Sequence, residues 1–311
     1  MTIAFTFPGQ GSQSVGMGRD LAEAFSEARD VFAEVDDALG QRLSKIMWEG
    51  PEEELTLTAN AQPALMAVSM AAMRAMAGLS LKDKVAYLAG HSLGEYSALC
   101  AAGTFTLADT ARLLRIRGNA MQAAVPVGEG AMAAIIGLEA GDVEEICEAV
   151  SRGTICQVAN DNGGGQIVIS GAKPAVEKAA GLATDKGAKR AIMLPVSAPF
   201  HSALMQPAAD AMREALAEVA MRPASVPVVA NVTVTPLTDP EEIAQRLVEQ
   251  VTGRVRWRET VEWFSGNGVE TLYEIGAGKV LSGLARRIDR NLNAVAVNTP
   301  ADIETVMKAL G

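Results

Sequence analysis

Short apolar runs alternate with segments of helical period along most of the chain, and that alternation predicts an α/β protein. Residues 3–7 form an apolar run that meets Pro8-Gly9 at once, the pattern of a strand ended by a turn. Residues 63–78 predict a buried helix, 85–89 a strand, 95–102 a helix directly after it, and 107–124 a further helix. The middle of the chain changes rhythm. Strand 131–136, helix 141–150, strands 154–159 and 166–170 around the Gly-rich turn 162–165, helix 173–187 and strand 191–196 follow in the order β-α-β-β-α-β. That order is the ferredoxin-like arrangement, and Pro126 and Pro199 bracket it. The α/β rhythm then resumes with helix 203–220, strand 226–232, helices 240–251 and 257–266, strand 271–275, helix 279–288 and strand 294–297. The expected organisation is a small domain over 126–197 inserted into a larger one made of 1–125 and 198–311.

Composition narrows the field. A chain of 311 residues is one large domain or a domain with an insertion, and 49% apolar with 21% charged residues is an ordinary folded composition. The net charge of -10 argues against general nucleic-acid binding, which needs a basic surface. Three cysteines, Cys100, Cys147 and Cys156, are odd in number and lack metal spacing, so free thiols in a reducing compartment and no metal site are expected. The first residues carry no basic segment or cleavage pattern, and the apolar stretch 65–79 is too short to span a bilayer and contains Arg74. No membrane association and a cytoplasmic location are expected.

Gly90-His91-Ser92-Leu93-Gly94 fits G-x-S-x-G between a predicted strand and a predicted helix, the setting of a nucleophile elbow. Glycines flank a turn too tight for side chains, and the helix N-terminus turns backbone N–H groups toward a developing oxyanion. A plain strand-to-helix turn with a serine cap is the alternative. A serine nucleophile needs a base, and the chain holds only two histidines. His91 adjoins Ser92, and neighbouring side chains at such a turn point apart, which suits a structural role. His201 remains, on a loop where the chain leaves the predicted insertion. About a third of the chain follows His201 without another histidine, unlike the Ser, acid, late-His order of ordinary α/β-hydrolases.

Phe7-Pro8-Gly9-Gln10-Gly11-Ser12-Gln13, Gly90 to Glu95, Arg117-Gly118 with Met121, and Pro199-Phe200-His201-Ser202 occur in this order at these spacings. Together they resemble the malonyl-CoA:acyl carrier protein transacylases of type II fatty acid synthesis, over essentially the whole chain. The resemblance implies an α/β-hydrolase-like large domain with a nucleophile elbow and an inserted ferredoxin-like subdomain. It implies that Ser92 attacks the thioester of malonyl-CoA, that His201 is its base, and that the backbone N–H groups of Gln10 and Leu93 hold the oxyanion. It implies that Arg117 binds the malonyl carboxylate, for which a guanidinium fork is suited, and that the main-chain carbonyl of Gln250 orients His201. It also places Asn160 at the cleft and Phe200 beside the acyl α-carbon, selecting malonyl over methylmalonyl. The implied partners are malonyl-CoA and holo acyl carrier protein; the reaction calls for no cofactor, and a monomer is the default expectation.

Both partners are anionic, so a docking surface on this acidic chain must be locally basic. Lys189-Arg190 and Arg286-Arg287 are the candidate pairs. A serine thioesterase or esterase with water as acceptor, and a non-catalytic acyl-binding relative, are the rival readings.

Overall fold

The computed structural model describes residues 2–196 and 198–311. Among these the strands are, in chain order, β1 (Thr2–Phe7), β2 (Tyr87–Gly90), β3 (Gly130–Ile136), β4 (Cys156–Asp161), β5 (Gln166–Ala172), β6 (Arg190–Met193), β7 (Val228–Val229), β8 (Pro236–Leu237), β9 (Val269–Ile275) and β10 (Asn293–Val297). They form a six-stranded sheet, β10-β9-β1-β2-β7-β8, and a four-stranded sheet, β4-β5-β3-β6.

The larger sheet is parallel except for β8. A parallel sheet is covered on both faces, and the alternation within β1 shows how. Ile3, Phe5 and Phe7 point into a core built with the helices Ser26–Leu39, Thr58–Ala75 and Leu107–Ala123. Ala4 faces the other way, against Trp257, Phe264 and Leu284 of the helices Trp257–Gly266 and Val280–Ile288. Large side chains thus fill the thick helical layer and small ones let the second layer approach.

The apolar stretch over 65–79 belongs mainly to the helix Thr58–Ala75, which is buried on nearly every side and carries Pro63 inside it rather than at its start. Among the described residues no helix is long and apolar enough to cross a membrane. Between β1 and this helix lie four helices for which the sequence reading offers no element: Arg19–Ala24, Ser26–Leu39, Leu43–Glu49 and Glu52–Thr56.

The smaller sheet is antiparallel throughout. The helices Ala140–Val150 and Lys173–Asp185 pack on it around Val143, Ile146, Val176 and Ile169. β6 stops at Met193, short of the expected 196: the Leu194 N–H still donates to Met132 O at 2.9 Å, but Pro195 has no N–H to continue the pairing, and Leu194, Pro195 and Val196 line a cavity. Ser197, the last residue of the expected insertion, lies outside the described residues. The two sheets are tied together. The Asp161 N–H donates to Val255 O at 3.0 Å and the Val255 N–H to Ala159 O at 2.8 Å. Arg258 adds an ion pair to buried Asp161 at 2.9 Å. The cavity lies between the elements of the two sheets, lined by Ser92 and His201 on one side and by Met132, Gln166 and Val168 on the other.

Candidate active site

β2 ends at Gly90 and the helix Gly94–Ala101 begins four residues later. A Cβ on Gly90 would stand 1.8 Å from the Gly94 carbonyl carbon, and one on Gly94 would stand 2.2 Å from Phe7 O. Neither position admits a side chain. Ser92 at the tip has φ 54°, the left-handed region that non-glycine residues enter at a cost of about 1–2 kcal/mol. Asn231 offsets that strain: its Oδ1 accepts the Ser92 N–H at 2.9 Å and its Nδ2 donates to Gly90 O at 2.7 Å. The expected strand 226–232 therefore shrinks to Val228–Val229, since Asn231 turns out of the sheet to brace the elbow.

His201 follows the chain's exit from the four-stranded sheet, also with positive φ, 55°. Its Nε2 is 2.7 Å from Ser92 Oγ. Its Nδ1 is 2.9 Å from Gln250 O and 3.1 Å from Gly253 O. Carbonyl oxygens only accept, so Nδ1 carries the ring proton and Nε2 presents its lone pair to the serine hydroxyl. The His201 ring is held down to about pKa 3, first by burial and then by the positive charge of Arg117.

Arg117 lies on the helix Leu107–Ala123 and is 1% exposed. The helix can bring it this deep because Gly118 lies against the helix Thr58–Ala75, where a Cβ would stand 2.6 Å from Ala59 Cα. Arg117 Nη1 donates to Gln62 Oε1 at 2.8 Å, and Nη2 donates to Gln250 Oε1 at 2.8 Å and to Ser92 Oγ at 3.2 Å. Its Cζ is 5.7 Å from the Tyr96 ring centroid. Its neighbours on the helix are used otherwise. Arg112 pairs with Asp109 at the surface, and Arg115 donates to Asn60 and Gln41. Among the described residues Arg117 makes no ion pair, so a buried cation faces the serine with only neutral direct partners.

The counter-charge stands one residue further back. Glu95 is 3% exposed, and its Oε2 accepts from Gln250 Nε2 at 2.8 Å and from the Asn231 N–H at 3.2 Å. Burial holds its carboxyl up at about 7, against the opposing pull of these hydrogen bonds and of the Arg117 charge. Gln250 Nε2 also donates to Ser92 O at 3.0 Å.

Ser92, His201 and Arg117 open onto a cavity of about 470 Å³, which Gln10, Leu93, Phe200 and Asn160 also line. The N–H groups of Gln10 and Leu93 donate to no group among the described residues. Gln250 does not line the cavity but lies directly beneath it, fully buried. His91 points away from the serine. Its Nε2 is 2.9 Å from Asn162 Oδ1, its ring lies against Trp257, and burial lowers its pKa.

The basic residues divide. The Lys189 stem lies against Gly137, which donates to Gly165 O at 2.7 Å, and the Arg287 stem lies against Gly164. Arg287 therefore stands on the β4–β5 hairpin, whose Asn162 lines the cavity, and Lys189 stands beside it on Gly137. Arg190 is exposed on edge strand β6. Arg286 is exposed too, but its guanidinium reaches back to Ala294 O. Gln62, Glu95, Asn162 and Asn231 are the polar residues of this region to which the sequence reading gives no part. For Glu95 a signal existed, a lone acid on an otherwise apolar helix.

A family profile described as the acyl transferase domain matches residues 4–291. A Bacillus subtilis protein named malonyl CoA-acyl carrier protein transacylase is 46% identical over 309 residues, 99% of this chain and 97% of that protein. A crystal structure of an acyl-carrier-protein S-malonyltransferase from Bartonella henselae superposes with a TM-score of 0.99 at 66% identity, covering 100% of both chains. A structure described as a type II PKS acyl-carrier protein in complex with its malonyl-transacylase superposes at 0.94 with 45% identity, covering 99% of this chain and 100% of that one.

Proposed function

From a chain that belongs to the acyl transferase domain family, we propose malonyl transfer from malonyl-CoA to the phosphopantetheine thiol of an acyl carrier protein as the reaction, supplying the extender unit for fatty acid synthesis. The observation that carries the substrate assignment is Arg117: a buried guanidinium 3.2 Å from the serine oxygen, with no carboxylate of its own in contact. A malonyl ester on Ser92 puts its free carboxylate two carbons beyond the carbonyl, within reach of that cation.

The steps follow from the hydrogen bonds. Ser92 gives its proton to His201 Nε2 as Oγ attacks the thioester carbon. The carbonyl oxygen becomes an oxyanion, for which the free N–H groups of Gln10 and Leu93 are the donors. Collapse breaks the C–S bond, and the departing thiolate takes the proton back from Nε2. The carrier thiol then repeats the sequence in reverse: it gives its proton to Nε2, attacks the ester, and expels Ser92 Oγ, which recovers the proton. The Gln250 and Gly253 carbonyls do the orienting work that a triad carboxylate does elsewhere. Acyl and proton transfers of this kind call for no cofactor.

The finer parts of the reading follow. Phe200 crowds the acyl α-carbon and Asn160 faces the substrate. Lys189, Arg190 and Arg287 receive the acidic carrier, with Arg286 serving the fold as well. The chain order of the smaller sheet supports a ferredoxin-like insertion, 126–197, in an α/β-hydrolase-like domain of 1–125 and 198–311. A cytoplasmic monomer that binds no nucleic acid completes the picture, and the acidic charge and free cysteines support it.

Initial rates with both substrates varied test the reaction. Parallel double-reciprocal lines, with turnover that depends on the carrier, are expected. Equal turnover with water alone would replace the transferase with a thioesterase.

A further inference from the structure

Gln250 holds its side-chain amide in one orientation, set by Arg117 on one side and by Ser92 O and Glu95 on the other, with Glu95 the charged and shortest acceptor. An amide is nearly symmetric in shape, so its polarity is set by its neighbours. On one side is Arg117 Nη2, which can only donate, 2.8 Å from Gln250 Oε1. On the other are Glu95 Oε2 at 2.8 Å and Ser92 O at 3.0 Å, with Asn231 Oδ1 more distant at 3.4 Å, all acceptors for the Nε2 protons. The same carboxylate oxygen takes the Asn231 N–H, and Asn231 in turn holds the Ser92 N–H.

We propose that Glu95 is a positioning residue for the transfer reaction, fixing the Gln250 amide so that Arg117 meets a neutral oxygen and keeps its charge for the substrate's carboxylate. The proposal rests on the reading of Arg117 given above. A carboxylate in direct contact with Arg117 would compete with the substrate. No counter-charge at all would leave a buried cation uncompensated. Placing the acid one amide away avoids both. Once protonated, Glu95 can donate as well as accept, so the amide keeps Ser92 O as its one close fixed acceptor and is held less firmly against Arg117.

The position of the carboxyl's titration makes this measurable, since burial holds it near 7. The titratable groups around it stay out of that range. His201 is held down to about 3, His91 is lowered, Tyr96 on the same helix is pushed far up by burial, and Arg117 remains a cation although burial lowers it.

The experiment compares Ser92 acylation by malonyl and acetyl thioesters of N-acetylcysteamine, which carry no titrating phosphate, from about pH 5 to pH 9. Wild type, Glu95→Gln, Gln250→Glu and Arg117→Ala are measured. In wild type the malonyl-to-acetyl rate ratio falls on the acid side of about 7. Glu95→Gln should lose that pH dependence and show a ratio about tenfold or more below wild type at alkaline pH, the usual weight of a hydrogen bond to a charged group. Gln250→Glu keeps the side chain's size but sets a carboxyl group on Arg117, so the malonyl rate should drop by a larger factor than the acetyl rate. A Glu95→Gln protein with the wild-type ratio and pH profile overturns the proposal, as does an equal loss with both substrates, which marks a plain structural prop. If that variant does not fold, Gln250→Glu decides: an unchanged malonyl preference overturns the proposal. A wild-type preference that Arg117→Ala leaves intact would instead remove the reading of Arg117 itself.

Discussion

Arg117 Nη2 stands 3.2 Å from Ser92 Oγ and 2.8 Å from Gln250 Oε1, so one nitrogen touches both the reacting oxygen and the residue whose carbonyl orients His201. Replacing Arg117 by Ala should lower kcat/KM for malonyl-CoA by about a hundredfold, from the loss of a buried charge-assisted pair, and lower acetyl transfer far less. Arg117→Lys should not restore it, because an ammonium cannot reach Gln62, Gln250 and a substrate carboxylate at once. Steady-state kinetics with the two acyl-CoA donors checks both statements.

Charge removal at Arg117 also bears on the base. The guanidinium is the second cause, after burial, of His201's low basicity. A malonyl carboxylate that neutralises Arg117 should therefore strengthen His201 as a base when the right substrate is bound. His201→Ala should cost about 10²–10⁴ in kcat, the usual worth of a positioned base, read from rapid-quench acylation rates.

Glu95 has an opposite effect on stability. Its carboxyl binds a proton more tightly in the folded protein, at about 7, than at the ordinary 4.5. The ionised group thus penalises the folded state increasingly as pH rises from 4.5 to 7, and constantly above that. Relative to wild type, Glu95→Gln should gain up to about 3 kcal/mol between acid and pH 8. Denaturant titrations at the two pH values measure it, and a gain alongside lost malonyl preference would mark a site that trades stability for chemistry.

The elbow tolerates no side chain at Gly94. Gly94→Ala would drive a methyl into Phe7 O, 2.2 Å away, and shift β1 or the Ser92 turn. A lower Tm together with loss of acyl-enzyme formation is expected, and thermal unfolding with intact mass reads both.

Phe200 and the hairpin cations concern selectivity for the two partners. Phe200→Ser should raise methylmalonyl kcat/KM relative to malonyl by up to about tenfold, the scale of one methyl group. Lys189→Glu with Arg287→Glu should raise KM for the carrier protein while leaving Ser92 acylation by a phosphate-free thioester unchanged.

The chemistry was legible in the sequence where it is local. The elbow is written in five consecutive residues, and a chain with two histidines leaves little choice of base. Strand and helix alternation located the elements that carry Ser92, Arg117 and His201, with ends off by a few residues. The polar frame beneath the site was not legible. Gln62, Glu95, Asn231 and the Gln250 amide meet only in three dimensions; Glu95 stands out as the lone acid of its helix, but nothing in its segment points to Gln250 or Asn231. Asn231 was absorbed into an apolar strand pattern that the structure ends at Val229. The four helices before Thr58 include one whose stripe, Ala28, Val31, Phe32 and Val35, has clear helical spacing. The helix expected over 63–78 starts earlier, at Thr58, and runs through Pro63.

The central claim is that a malonyl group passes through an ester on Ser92. Intact mass spectrometry after brief incubation with malonyl-CoA tests it most directly, with wild type and Ser92→Ala compared and carrier protein then added. The account predicts one malonyl increment on wild type, none on Ser92→Ala, and its quantitative transfer to the carrier thiol. An increment that persists in Ser92→Ala, or one that water removes as fast as the carrier does, would contradict it.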